Sequence, residues 1–317
     1  MIIASFFVII EREVDFMTRY YSLNDYLKEK FGEKVYKLSL DLGFTCPNRD
    51  GTLDTRGCSF CLAGSSHFAS NGNDINEQIE RAKELVLKKT KAKKFIAYFQ
   101  SYTNTYAPIE KLESIFSQVI AREDIVALSI ATRPDCLPDE VISLLAELNK
   151  QKPVWVELGL QTANEKTAVN IRRCYKNEIY EKAVRSLNSV GIEVITHVIL
   201  GLPDETKADM LNTVDFAISC GTKGIKLQLL HVLKGTDLCI DYENGRFSVL
   251  SFDEYVDILF DCIRRLPKNI VVHRITGDAP KKFLVAPLWS ADKKTVMNEI
   301  ARRMEREDLQ QGEDILI

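Results

Sequence analysis

The sequence predicts an α/β protein built on a parallel sheet, open or curled into a partial or full barrel. Three observations carry this. Short runs of aliphatic, β-branched or aromatic residues recur at 35–42, 95–100, 125–131, 154–160, 193–200 and 224–230. Segments of helical period separate them. No low-complexity linker breaks the alternation, and strand–helix–strand units in one sheet cross over right-handedly.

Taken in order, the apolar opening MIIASFFVII is short, lacks a positive lead and runs into EREVD. Neither a signal peptide nor a spanning helix is expected there. Met17 opens MTRYYSLNDYLKEKF, which reads as a cytosolic start, so residues 1–16 are taken as an optional extension or start-site artefact. After the first strand, Ile75, Ile79, Ala82 and Val86 share one helical face, entered by Asp74 and Glu77 at capping-box spacing. Ile179, Ala183, Leu187 and Val190 repeat the pattern before Gly191, and Met210, Val214 and Ala217 before Gly221. In GLPDET, Asp204 is a candidate cap. Beyond Leu230 the rhythm changes. LCIDYENGRFSVL reads as a hairpin around Asn244-Gly245. Ser251 with Glu254 caps a helix carrying Val256, Leu259, Ile263 and Leu266; a seventh strand over 270–275 and a helix from about Ala291 follow. The expected layout is a lead-in over 1–34, a core over 35–232 and a C-terminal extension over 233–317 packed on the same body.

The chain has 317 residues, 45% of them hydrophobic, a net charge of −3 and a pI near 5.9, which argues against a generally basic, histone-like protein. Its eight cysteines are not a small secreted disulfide framework. The tight C-x2-C pair fits metal binding in a reducing cytoplasm. CPNRDGTLDTRGCSFC, just past the first strand, holds Cys46, Cys58 and Cys61. Active residues of such sheets gather where strands end. With His67 as fourth ligand these cysteines make a Cys3His zinc site. As three thiolates alone they suit a [4Fe–4S] cluster with one iron left open. Phe60 between them would then limit solvent access. The zinc reading leaves the repeated α/β scaffold unexplained; the cluster reading uses it.

This stretch resembles the radical S-adenosylmethionine (SAM) superfamily, in a variant whose first cysteine is distant from the C-x-F-C pair, as in the radical domain of the Elongator catalytic subunit. It is more similar still to the bacterial YtqA/YhcC-type (MnmL-type) radical SAM proteins. LDLGFTCPNRDGT, FQSYTNTYAP, ATRPDCLPDE, WVELGLQTANEKT, HVILGLPDET, LLHVLKGT and ITGDAP carry the likeness across roughly residues 17–290. The resemblance implies an incomplete (β/α)6 TIM-type barrel with an α+β C-terminal extension. It implies a [4Fe–4S] cluster on Cys46, Cys58 and Cys61 that binds SAM, and reductive cleavage to a 5′-deoxyadenosyl radical that abstracts hydrogen from substrate. It also implies tRNA as partner, with a C5-modified wobble uridine as substrate, and a reducing partner such as flavodoxin or ferredoxin. Two alternatives stay open: a radical SAM enzyme for a small molecule, and a non-catalytic zinc protein that binds nucleic acid.

The resemblance also implies site residues at the other strand ends. Gln100, Ser101 and Tyr102 stand where the family contacts the SAM amino group, and their oxygens suit an ammonium. Thr132 and Arg133 end the third strand and face cofactor or substrate. Glu157, Gly159 and Gln161 share a strand face by alternation, and a buried Glu157 would need Arg133 or Arg173 as partner. Arg173 aligns with the family's arginine for the SAM carboxylate, while Cys174 and Tyr175 replace the usual Gly and His. His197 and His231 lie on or beside the fifth and sixth strands, and Lys226 and Gln228 share a face of the sixth. KKTKAKK over 88–94, and Lys281 with Lys282 after Pro280, are basic runs that would suit RNA or stay solvated. Cys136, Cys174, Cys220, Cys239 and Cys262 form no metal spacing, and Cys220 and Cys262 read as core.

Overall fold

The computed structural model describes residues 19–62, 69 and 74–315. Residues 1–16 and His67 lie outside them. Six strands appear where the apolar runs predict them: β1 (Tyr36–Leu40), β2 (Phe95–Phe99), β3 (Ile125–Thr132), β4 (Val154–Gln161), β5 (Glu193–Leu200) and β6 (Gly224–Leu229). Helices α2 (Ile75–Leu87), α3 (Ile109–Ile120), α4 (Asp139–Asn149), α5 (Glu165–Asn170), α6 (Asn177–Ser189) and α7 (Lys207–Cys220) link them, and α1 (Leu23–Phe31) precedes them. After β6 come a two-residue β7 (Val232–Leu233), α8 (Asp237–Glu243), α9 (Phe252–Arg265), β8 (Val271–Arg274), β9 (Leu284–Ala286) and α10 (Lys293–Arg306).

The main sheet is parallel throughout, in the order β1-β2-β3-β4-β5-β6-β8. The seventh strand joins the sheet edge, so the C-terminal extension adds to the barrel itself. The sheet is curled. The Lys226 Nζ on β6 donates to the Tyr98 hydroxyl on β2 at 3.1 Å. These strands are four apart, about 19 Å across a flat sheet at the usual spacing, with parallel side chains that could not meet. Only a sheet rolled toward a barrel brings them together, as the partial TIM-type barrel requires.

Strand alternation then divides the residues. Leu38, Leu40, Phe95, Phe99, Leu128, Ile130, Val156 and Leu158 point outward under α2, α3, α4 and α6. Inward-facing residues form layers. Ile96, Ala127, Trp155 and Ile195 make an apolar floor, closed from below by Leu27 of α1 and Val35. Tyr26 packs on Trp155 with ring centroids 5.8 Å apart. Above the floor lies a polar layer, and above that the cavities. Fully burying one such apolar side chain contributes about 1.5–3 kcal/mol.

The C-terminal part is fixed by α9 and α10, whose Val256, Leu259, Ile263, Val296, Ile300 and Met304 pack over β6 and β8. The chain ends are tied by Gln311. Its amide accepts from the Tyr21 N–H at 2.7 Å and donates to the carbonyls of Pro267 and Ile270 at 2.7 and 2.9 Å.

Several local expectations change. The segment after Gly235 forms α8, not a hairpin. Thr236 caps it by accepting from the Cys239 N–H, Leu238 and Cys239 are buried, and Asn244-Gly245 stops the helix. Asp204 sits in a turn at φ 65°, and the capping box of α7 is Thr206 with Asp209. Asp74 makes its half of a box, but Glu77 pairs with Arg81 at 3.0 Å. Ser251 and Glu254 form both halves of theirs. Gly191 and Gly221 adopt the left-handed conformation that ends a helix.

Glu205, between β5 and α7, accepts a short hydrogen bond from the Thr162 hydroxyl, and its other oxygen is buried with no hydrogen-bond partner among the described residues. Burial raises this carboxyl to about 7. Above the usual carboxyl range and up to pH 7, the folded chain keeps a proton that the unfolded chain has lost, so stability falls as pH rises through that window. Glu205→Gln should flatten this dependence and stabilise the protein at pH 8 by on the order of 1 kcal/mol after solvent screening. Urea unfolding of both proteins at pH 5 and pH 8 measures it.

Candidate active site

The loop after β1 is folded tightly around its cysteines. The N–H groups of Arg49 and Asp50 donate to the Cys46 carbonyl at 2.7 and 3.2 Å, and the Cys61 N–H donates to the Cys58 carbonyl at 3.0 Å. Gly57 sits at φ 78°, and a Cβ there would lie 2.8 Å from the Arg49 guanidinium carbon, so glycine is required. Arg49 in turn donates to the Cys61 carbonyl at 2.6 Å. Asn48 donates to the Arg172 carbonyl at 2.8 Å and approaches the Cys58 sulfur at 3.5 Å. The Ser59 N–H reaches the Ile171 carbonyl, and the Leu238 N–H reaches the Ser59 carbonyl, both at 3.0 Å. The loop is thereby held to the C-terminal end of α5 and to α8.

Cys46, Cys58 and Cys61 line one cavity of about 190 Å³ at the C-terminal ends of the strands. Gln100, Tyr102, Thr132, Arg133, Glu157, Gly159, Gln161, Arg173 and His197 line it too. Ser101 is buried behind them, and its hydroxyl has no partner. A second cavity of about 610 Å³ adjoins the first and shares Phe60, Cys61, Gln100, Gln161 and His197 with it. Lys226, Gln228, His231 and Pro280 line this second space. A larger hollow of about 990 Å³ opens outside the barrel between α4 and α6, and none of these site residues reaches it.

Beneath the cavities sits the polar layer. Glu157 is fully buried on β4. It accepts from the Lys37 Nζ at 2.7 Å, the Ser129 hydroxyl at 2.6 Å, the His197 Nε2 at 2.7 Å and the Lys226 Nζ at short range. Neither Arg133 nor Arg173 serves as its partner. Those arginines come from loops above the layer, whereas the lysines project inward from β1 and β6. Burial disfavours the Glu157 charge, but Lys226 and then Lys37 outweigh it and hold the carboxyl well below its usual range. Burial lowers Lys226 to about 7 against the pull of Glu157. Burial, with Lys226, lowers His197 to about 4, leaving a neutral ring that donates to the carboxylate.

Arg133 forms a bidentate pair with Asp135 at 2.9 and 2.7 Å through Nε and Nη2. Arg173 is almost wholly occupied by backbone. It donates to the carbonyls of Leu160, Thr162 and Tyr175 and to the Asn177 side chain, all within 3.1 Å. Both guanidiniums lie against the Tyr175 ring, 5.0 and 4.6 Å from its centroid. Gln161 has φ 65° at a bulge, and its amide folds over Gly159, where a Cβ would lie 2.7 Å from it. Tyr102, Arg172 and Cys174 also have positive φ, so four of the six such non-glycine residues cluster around this cavity.

The remaining sequence candidates fall elsewhere. The basic run over 88–94 enters β2 at its N-terminal end, opposite the cavities, and Lys94 pairs with Glu33 at 2.9 Å. Lys281 and Lys282 are exposed. His231 meets the Ser290 hydroxyl at 3.1 Å. Cys136, Cys220, Cys239 and Cys262 are buried, and Cys174 is exposed. Sequence reasoning missed Thr103, Asn48, Lys37, Tyr98, Ser129 and Arg274. Polar residues at alternate positions of YKLSL were the available signal for Lys37; the others had none beyond their strand ends.

Two family models match this chain: the Radical SAM superfamily over residues 54–217, and the Radical_SAM C-terminal domain over residues 222–306. The chain belongs to the radical SAM superfamily, whose members use a [4Fe–4S] cluster and S-adenosylmethionine. Among its relatives is YtqA of Bacillus subtilis, 46% identical over 296 residues that cover 93% of this chain and 92% of that one. A tRNA uridine(34) acetyltransferase of Methanocaldococcus infernus is 26% identical over 168 residues, 52% of this chain and 31% of the other. Among solved structures, Methanocaldococcus infernus Elp3 with an N-terminal deletion superposes with a TM-score of 0.67 at 19% identity. That match covers 87% of this chain and 64% of that longer chain.

The residues fit the superfamily's cofactors. Cys46, Cys58 and Cys61 line one space, and cysteine thiolates are what hold an iron–sulfur cluster. Among the described residues the buried hydroxyls of Ser101 and Thr103 and the Asn48 carbonyl oxygen have no hydrogen-bond partner, and Thr103 faces the cavity. Buried polar atoms without partners are costly unless a ligand satisfies them. Family membership favours an enzyme over the zinc-binding alternative.

Removing the Glu157 carboxylate would leave the buried Lys226 and the partly buried Lys37 without their partner. Glu157→Ala should destabilise the fold by about 3–5 kcal/mol, measured by urea unfolding. Glu157→Gln, which keeps the shape and an acceptor, should cost less.

Proposed function

We propose that this chain is a radical SAM enzyme whose [4Fe–4S] cluster is held by Cys46, Cys58 and Cys61 and whose substrate is a C5-modified wobble uridine of tRNA. The carrying observation is the junction of two cavities, one ringed by the three thiols and the other opening deeper into the barrel. When bound, the cluster and SAM supply a 5′-deoxyadenosyl radical for hydrogen abstraction. The chain's own part is placement. Gln100, Ser101, Tyr102 and Thr103 offer oxygens to the SAM ammonium, and Arg133 keeps Nη1 available for the carboxylate. Thr132 is fixed by the Thr105 hydroxyl at 2.6 Å, so the floor of this pocket is rigid. Gln161 and His197 stand where the cavities join. Phe60 lines both cavities beside Cys61 and puts an apolar ring next to the thiols, which limits water there.

The second cavity's size suits a nucleoside. The amides of Gln100, Gln161 and Gln228 line it with paired donor and acceptor groups, as the edge of a pyrimidine requires. A base in a duplex stack cannot enter, so an anticodon-loop nucleotide would be splayed into the mouth. The similarity to a tRNA uridine(34) acetyltransferase supports a wobble-uridine target. The position of the 88–94 basic run, away from the mouth, favours the small-molecule alternative instead. Nucleosides from tRNA of a deletion strain and its parent, compared by mass spectrometry, should differ at the wobble uridine. Identical profiles would move the substrate search to small molecules.

Two further outcomes test the cofactor assignment. After anaerobic reconstitution, Cys46→Ala, Cys58→Ala and Cys61→Ala should each lose bound iron and sulfide, while Cys136→Ala, Cys174→Ala and Cys239→Ala keep them. Arg133→Ala should keep the cluster and weaken SAM binding by about 2 kcal/mol or more, read by titration calorimetry. Arg173→Ala should instead lower thermal stability, because it frees the carbonyls at the end of β4.

A further inference from the structure

The far wall of the second cavity carries a cation whose hydrogen-bond donors have no acceptor among the described residues. Arg274 ends β8 and lies beside Lys226 of β6 in the strand register. Among the described residues its guanidinium has one acidic neighbour, Asp278, at 3.4 Å and without a hydrogen bond. The other oxygen of the Asp278 carboxylate is bonded by the Lys293 Nζ. Lys226 is directed at Glu157 and Tyr98 beneath. One carboxylate is therefore shared by two cations, which leaves net positive charge and open guanidinium donors at the edge of a partly enclosed space. Its field extends inward: after burial, it is among the charges that hold His197, His231 and Lys226 below their ordinary values. The Gln228 amide beside it makes no hydrogen bond among the described residues and faces the same space.

A guanidinium with open donors, next to a neutral amide and on a rigid strand, is suited to a planar or tetrahedral oxyanion. We propose that Arg274, with Gln228, forms an anion subsite in the second cavity that receives a carboxylate or phosphate of the substrate. This rests on the reading above that the second cavity takes the substrate. The subsite would fix which end of the substrate points away from the thiols, and so which hydrogen faces the adenosyl group. A neutral substrate would leave the two cations, Arg274 and Lys293, with one carboxylate between them, so the subsite would also select for an anionic group.

Acetate and inorganic phosphate serve as probes, each replacing chloride at constant ionic strength, with the melting temperature of the full chain as readout. At least one of them should raise the melting temperature of the wild type, and of a Lys166→Gln surface control, by about 2 °C or more. Arg274→Gln should lose the shift, and Arg274→Lys should keep part of it. A response to acetate alone assigns a carboxylate, and a response to phosphate alone a phosphate group. No shift in the wild type, or a shift that survives in Arg274→Gln, overturns the subsite. Failure of the tRNA reading is visible separately: unchanged wobble nucleosides together with an Arg274-dependent anion shift would leave the subsite standing for another substrate.

Discussion

The buried carboxylate of Glu157 is the constraint on which the barrel's interior depends. It is a charge placed at the centre of a curled sheet, and it gathers side chains from β1, β3, β5 and β6. A lone buried carboxylate would be neutralised or expelled. Surrounded by two ammonium groups, a hydroxyl and an imidazole N–H, it stays ionised and pulls distant strands toward one another. The floor below is apolar and closed by α1, so water does not compete from that side. The roof above is the pair of cavities. The layer thus separates a packing problem from a chemical one.

The chemistry sits on the roof because a parallel sheet sends every connection at its C-terminal edge into a loop. The β1 loop is long, yet it is held by hydrogen bonds to the C-terminal end of α5, to α8 and within itself. This fixes where the three thiols sit. The strained backbone at Tyr102, Gln161, Arg172 and Cys174 gathers at the same place. Such strain persists only where surrounding contacts over-determine it. Arg173 supplies much of that support here, by binding four carbonyl or amide oxygens at the exit of β4.

Much of this was legible in advance. Aliphatic runs of strand length and helical stripes between them fix the order of elements, because burial demands the same periodicities in any context. The three cysteines and the residues at the ends of β2, β3 and β4 could be picked out because strand ends are where such a sheet does its work. The hairpin expected at Asn244-Gly245 became the end of α8, since a turn-forming pair also stops a helix, and Thr236 upstream decided which. Asp204 lost its capping role to Thr206, two residues later, where the backbone is extended as a cap requires.

By itself, then, the sequence determined the alternation of strands and helices, the outward core and the identity of the thiols, all of which depend on local period and spacing. Only the tertiary structure decided the curl of the sheet, the partners of Glu157, the structural use of Arg173 and the open donors of Arg274. The Glu157 contacts join residues 28 to 120 positions apart, and strand pairing sets Arg274 beside Lys226. Arg173 binds within 13 positions of itself, yet only once the chain has turned back on the exit of β4. Charge pairing in a barrel interior is set by which strands face each other across the axis, and no local pattern records that.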